Sequence, residues 1–187
     1  METLLNKISG LTEEYGGQWG INHTKRLLKL ISIIGEGLQY NHEAVTIAAY
    51  LHDWGGYAKW EKPGVSHAAR SRQVAEEFLT EIGCENHLLE LVLECIEYHH
   101  SATGDNSIEA ILLNDADALD FLGAVGILRD FSKNPKDLRK AYETVLNRRD
   151  KLQKSLLLEK TRELAGARIS FMDQVLRSFE EETFGYF

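Results

Sequence analysis

The chain has only two prolines, Pro63 and Pro135, so most of its 187 residues run free of the strongest helix breaker. No stretch of useful length alternates apolar and polar residues, which removes the main signal for half-buried strands. Cysteine is scarce as well. Cys84 and Cys95 are too few for a secreted disulfide framework and lack the close pairing of a zinc ribbon or redox motif. Both read as reduced core residues. Apolar runs are short and interrupted, too short to cross a bilayer, and the opening METLLNKISG has no basic segment leading into an apolar run. The expected compartment is the cytoplasm, with no membrane partner. Basic residues are outnumbered, 21 against 29 acidic, for a net charge of −8. That balance argues against a duplex nucleic-acid partner, where lysine and arginine must displace condensed counterions. A small anionic substrate remains compatible with it, because a bound metal reverses the charge of a pocket locally.

What is present is helical periodicity. With 43% hydrophobic and 27% charged residues the chain can bury a core, and its length fits one domain. The spacing predicts an all-α fold. A first helix over about residues 2–15 ends at Tyr15-Gly16-Gly17. A second, about 20–38, puts His23 one turn before Leu27 on a stripe with Leu30, Ile31 and Ile34. A third starts at the N-cap Asn41, reaches His52 and Asp53, and is stopped by Gly55-Gly56. After a loop containing Trp60 and Pro63-Gly64, Ser66 caps a fourth helix over about 67–82. A fifth, about 85–99, aligns Leu88, Val92, Cys95 and His99, and a sixth is expected from Ser107 to about Phe131. Beyond Asn134-Pro135 the composition is that of charged amphipathic helix. The expected organisation is a single domain over 1–187, with a core at about 20–131 and a C-terminal helical extension at about 135–187. That extension either packs on the core as a hairpin or serves a homodimer.

Metal-binding side chains fall where apolar stripes would otherwise continue. His23 shares a face with leucines and isoleucines, His52-Asp53 closes one helix, His67 opens the next, His99 ends another, and Asp117 interrupts the sixth. A lone histidine on such a stripe is ordinarily a core imidazole bonded to a carbonyl. A buried aspartate, however, needs a cation or several donors beside it. Adjacent helical residues point about 100° apart, so an ion held by both His52 and Asp53 must lie in the crease between them.

The order His23, His52-Asp53, Asp117 resembles the H…HD…D pattern of the HD superfamily of metal-dependent phosphohydrolases. The segment Asn114-Asp115-Ala116-Asp117-Ala118-Leu119-Asp120, leading into Gly123-Ala124-Val125-Gly126-Ile127-Leu128-Arg129, is similar to the D-A-D-x-L-D-x-x-G-A-x-G-I-x-R stretch of small bacterial HD hydrolases. The likeness runs from about residue 20 to 182 and includes Ala165, Arg168, Phe171 and Met172 in the final helix. It implies an HD-domain helical bundle with additional C-terminal helices. It also implies hydrolysis of a phosphate ester, of a nucleotide or similar small molecule, by metal-activated water. One or two divalent ions are implied, from among iron, manganese, cobalt, zinc and magnesium.

Carried over by motif, His23, His52, Asp53 and Asp117 hold a first ion. Asp53 is the bridge to a second, held by His67 and by one of the adjacent pair His99 and His100. The Leu88-Val92-Cys95 stripe favours His99, whereas the H-S pairing with Ser101 favours His100. Arg70, Lys59 and Arg26 are candidate phosphate contacts, the planar guanidinium of Arg70 being the best placed. Asp120 is a candidate to orient a ligand histidine. Trp54, Tyr57 and Trp60 either stack on a nucleobase or anchor their own loop. Two departures narrow the activity: no lysine closely follows the doublet and no G-Y-P motif occurs, unlike the branch that cleaves cyclic dinucleotides. No synthetase-type second domain accompanies the motif, which counts against alarmone cycling. The alternatives are a di-iron oxygenase with the same ligand set and a non-catalytic sensor or scaffold. The full complement of six ligand positions counts against the latter.

Overall fold

Asn41 and Ser66 start helices for the reason their side chains suggest. Asn41 Oδ1 accepts from the Ala44 N–H at 3.0 Å, and Ser66 Oγ accepts from the Ala69 N–H at 3.3 Å, each satisfying an orphan donor of a first turn. A computed structural model describes residues 2–187, which form eight α-helices and one 3-10 turn, with no strand among the described residues. In chain order they are α1 (Glu2–Ile34), α2 (His42–Leu51), the 3-10 turn Trp54–Gly56, α3 (His67–Glu81), α4 (Asn86–Tyr98), α5 (Ile108–Asp120), α6 (Ala124–Lys133), α7 (Leu138–Ser155) and α8 (Glu159–Thr183). The fold is all-α, as the periodicity predicts. No described helix is long and apolar enough to cross a membrane.

The expected break at Gly16-Gly17 is a kink inside α1, where Gly17 takes φ 62°. The expected sixth helix is two helices. Gly123 adopts φ 88°, a conformation that favours glycine, and this separates α5 from α6. Gly126 then packs on the backbone of that turn, so close that a Cβ would lie 1.9 Å from the Phe121 carbonyl oxygen. The small residues read as helix-packing positions therefore serve a corner.

The chain divides into two compact units, one ending at Asp117 and one spanning Ala118–Phe187. In the first, α1 packs on α2, α2 on α4, and α3 on both α4 and the 3-10 turn. Ile8, Leu27, Ile47, Leu51, Trp54 and Ile96 are fully buried in its core. In the second, α6, α7 and α8 pack on one another. There the buried Asp130 accepts from Arg148 Nε at 2.8 Å and from Arg129 at 3.2 Å. Arg168 donates to the Leu119 carbonyl in the same unit and lies in the field of the Asp120 carboxylate.

Candidate metal centre

Four segments of the first unit end or begin at one place. α2 and α4 terminate in histidines by the same device: His52 Nδ1 lies 2.9 Å from the Ala49 carbonyl oxygen and His99 Nδ1 lies 2.6 Å from that of Ile96, three residues back in each case. A carbonyl oxygen only accepts, so each ring carries a proton on Nδ1. In the neutral ring the other nitrogen, Nε2, is then a lone pair, and its direction is fixed by the end of the helix. His52 Nε2 is buried with no hydrogen-bond partner among the described residues.

Asp53 follows His52 with its carboxylate divided between two sets of nitrogens. Oδ2 lies 3.5 Å from His52 Nε2 and 3.9 Å from His23 Nε2, while Oδ1 lies 3.9 Å from His67 Nε2. Asp117, on α5, is buried between two histidines: His23 Nε2 is 3.1 Å from Oδ1 and His100 Nδ1 is 3.2 Å from Oδ2. On the other side of Asp53, His67 Nε2 approaches His99 Nε2 at 3.2 Å and His100 Nε2 at 3.0 Å. Two groups result, His23–His52–Asp53 and His67–His99–His100, each with its donor atoms within 4.8 Å of one another.

The electrostatics prepare these groups for a cation. Burial pushes the His99 imidazole down to about 3, helped by His52 and His100, and keeps it neutral. Burial also lowers His67, against the pull of Asp53. The same burial would raise both carboxyls, but it is outweighed. His52 holds Asp53 below its ordinary value, and hydrogen bonds from His100 and His23 hold Asp117 well below it. The carboxylates are ionised, burial keeps the His67 and His99 imidazoles neutral, and the donor atoms converge.

All seven metal-ligand candidates, His23, His52, Asp53, His67, His99, His100 and Asp117, are thus brought together. The choice between His99 and His100 does not arise geometrically, since both reach His67. Arg70 donates to the Trp60 carbonyl at 2.7 Å and to Gln73 at 3.1 Å, and the Lys59 ammonium lies 3.7 Å from the centre of the Tyr15 ring. Arg26 lies over Trp19 at 5.3 Å.

The loop aromatics are built inward. Trp54 is stacked on Trp60 at 4.5 Å and its Nε1 donates to Thr12 Oγ1 at 2.9 Å. Tyr57 lies against α1 at Gly16 and Gly20, where added Cβ atoms would come within 2.5 Å and 2.6 Å of its ring and hydroxyl. Glycines at i and i+4 in a helix were the signal for that slot. Trp19 lies nearly parallel to the His23 ring at 6.3 Å, a neighbour that one aromatic on an amphipathic helix does not reveal.

The HD domain family matches residues 20–122. No curated protein matches the chain. Among solved structures, Bacillus subtilis YpgQ in complex with ADP is 25% identical, with a TM-score of 0.73 over 95% of this chain and 94% of that one. A predicted HD superfamily hydrolase from an uncultured Thermotogales bacterium is 26% identical, with a TM-score of 0.68 over 95% and 91% of the two chains. An HD-superfamily hydrolase from Bacillus thuringiensis, 21% identical, shares the fold at a TM-score of 0.73 over 97% of each chain. With the family matched across more than half its length, the chain belongs to the HD domain family and is a metal-dependent hydrolase.

Proposed function

We propose that the protein hydrolyses a phosphate ester of a nucleotide or similar small molecule, with His23, His52, Asp53 and Asp117 holding one divalent ion and Asp53, His67, His99 and His100 supplying donors for a second. The observation that carries this reading is the meeting of three imidazole Nε2 atoms, His67 with His99 at 3.2 Å and with His100 at 3.0 Å. His99 and His100 have their Nδ1 protons committed to Ile96 and Asp117, so in the neutral rings two lone pairs face His67 Nε2. One proton there can serve one of them well. A cation satisfies all three.

Bound in such a site, a divalent ion lowers the pKa of a water and neutralises charge on a phosphoryl group. The chain's own contribution is positional. The helix ends behind His52 and His99 fix their rings, and Asp117 orders His23 and His100 through its two oxygens. Asp53, with one oxygen toward each histidine group, joins the two halves. Arg70, one turn after His67, and Lys59, six residues after Asp53, are the cations assigned to the outer phosphate oxygens, Arg70 having the forked geometry suited to two-point contact. Nucleotide recognition is supported by the relative from Bacillus subtilis, whose structure holds ADP. In this proposal the chain is one catalytic domain with a C-terminal helical extension.

Metal analysis of the purified protein, combined with a hydrolysis panel of nucleotides and generic phosphate esters, tests this. Expected are one or two divalent ions per chain and phosphate release that a chelator abolishes. Bound iron with no release from any ester under any metal would overturn it in favour of an oxygenase.

A further inference from the structure

A threonine inside a helix ordinarily turns its hydroxyl back on its own backbone, one turn earlier. Thr24 does so to the Gly20 carbonyl at 3.1 Å, and Thr46, Thr144 and Thr183 do likewise to His42, Lys140 and Phe179, each at 2.7 Å. Thr12 does not. It is fully buried on α1, one turn after Ile8, in a place where an aliphatic residue would serve the core. Its hydroxyl donates across to the Tyr50 carbonyl on α2 at 3.2 Å and accepts from Trp54 Nε1 at 2.9 Å. A buried hydroxyl is costly unless it is bonded, and here its donor and its acceptor are both used.

Those two partners stand on either side of His52-Asp53. The last carbonyls of a helix find no donor inside it and need one from elsewhere. In α2 the Ala48 carbonyl accepts from the His52 N–H at 2.9 Å, the Ala49 carbonyl holds His52 Nδ1, and the Tyr50 carbonyl takes the Thr12 hydroxyl. The helix end that aims the His52 ring is thus completed by a side chain from α1. Beyond the doublet, the buried Trp54 begins the 3-10 turn that Asp53 precedes. The Asp53 carboxylate makes no capping bond to that turn, so its direction is set by the backbone on either side of it. We propose that Thr12 is the positioning residue for the His52-Asp53 doublet. One hydroxyl holds the carbonyl two residues before His52 and the indole one residue after Asp53, and so fixes the span of chain from which both donors project. Removing a group that orients metal ligands from behind weakens metal binding about 10–100-fold. This rests on the reading of the doublet as metal ligands and adds the residue that aims it.

The experiment is a cobalt(II) titration of the full chain, read by calorimetry for affinity and by visible absorption for ligand geometry. The variants are Thr12→Val, which keeps the shape and removes the hydroxyl, and Thr12→Ser, which keeps the hydroxyl. Ile8→Val, one turn away in the same core, is a control that lowers stability and leaves the two hydrogen bonds alone. Expected is cobalt binding about 10–100-fold weaker in Thr12→Val, with an altered absorption band, and near-normal binding in Thr12→Ser and Ile8→Val. A merely structural threonine would lower the unfolding temperature of Thr12→Val and leave affinity and band unmoved, and that result overturns the proposal. Where Thr12→Val does not fold, Trp54→Phe removes the indole donor instead, with the same expected direction and the same overturning result. Where the unmodified protein binds no cobalt, nitrogen NMR of the His52 ring decides. Ring signals that move in Thr12→Val and return in Thr12→Ser uphold the role of Thr12 and overturn only the metal assignment of the doublet. Unmoved signals overturn the role itself. Cobalt binding that follows the Thr12 hydroxyl, with no hydrolysis of any ester, upholds Thr12 and overturns only the phosphate-ester reading.

Discussion

The main-chain N–H of Gly55 donates to the Ser71 hydroxyl at 2.8 Å, across a contact where a Cβ on Gly55 would lie 2.3 Å from the Ser71 nitrogen and 2.5 Å from the His67 carbonyl oxygen. The 3-10 turn after the doublet is thereby pressed against the backbone of the first turn of α3. His67 opens that helix, and the contact carries its ring to within 3.9 Å of Asp53. The double glycine reads in the sequence as a helix stop. Its first member also has a packing role that joins the two halves of the donor cluster.

Gly55→Ala should therefore be costly where Gly56→Ala is not. The atoms facing Gly55 are backbone and cannot step aside, whereas a Cβ on Gly56 meets only the His67 Cβ at an ordinary 3.6 Å. Urea denaturation should show a loss of about 3 kcal/mol for Gly55→Ala and no more than about 0.5 kcal/mol for Gly56→Ala. Metal content should fall in the first variant and hold in the second. Equal stability of the two would remove the role given to the Gly55 contact.

The Tyr57 slot predicts a coupling. In Gly20→Ala the new methyl would lie 2.6 Å from the Tyr57 hydroxyl but 3.2 Å from the ring carbon that bears it. Taken alone the substitution should destabilise by about 1–3 kcal/mol, despite alanine's better helix propensity. In a Tyr57→Phe background the hydroxyl is gone and the penalty should shrink by about 1 kcal/mol. A double-mutant cycle by thermal or urea unfolding measures it, and strict additivity would contradict the packing described.

Asp53→Ala and Asp117→Ala should each strip bound metal and phosphate release while leaving the helical circular-dichroism signal largely intact. Asp53 follows the end of α2, and Asp117 lies on α5 between the His23 and His100 rings rather than in a leucine or isoleucine position. Asp117 removal also leaves His23 and His100 without the carboxylate that both approach. Wild-type metal content in both variants would sink the site.

Much of this was legible because helical periodicity is local. The stripe through His23 and Leu27, the cap at Asn41 and the position of His52 at a helix end follow from neighbours three or four residues away. Convergence is not local. Nothing within α4 states that His99 and His100 both reach His67, since that depends on how α3 packs on α4. The split of the sixth helix turned on the positive φ of Gly123, which residue type permits without requiring. The inward stacking of Trp54 on Trp60 likewise depended on Thr12 and Phe78, far away in the chain.

The neutral state of His99 makes the metal-free protein sensitive to mild acid. Its pKa is near 6.5 in the unfolded chain and about 3 in the folded one. Below 6.5 the unfolded chain takes up a proton that the folded protein refuses, so the unfolded state binds more protons and stability falls with pH. The contribution is fully present above pH 6.5 and is lost progressively down toward pH 3. Asp53 and Asp117 have folded values below 3.8, so their contributions fade only in stronger acid. Between about pH 6 and 4 the histidines therefore dominate, and His99 adds a slope of roughly 1.4 kcal/mol per pH unit. Unfolding free energies measured with a chelator across that window should fall steeply in the wild type and less steeply in His99→Asn, which has no proton to take up. Identical slopes would mean that His99 is not held neutral by its burial among His52, His67 and His100.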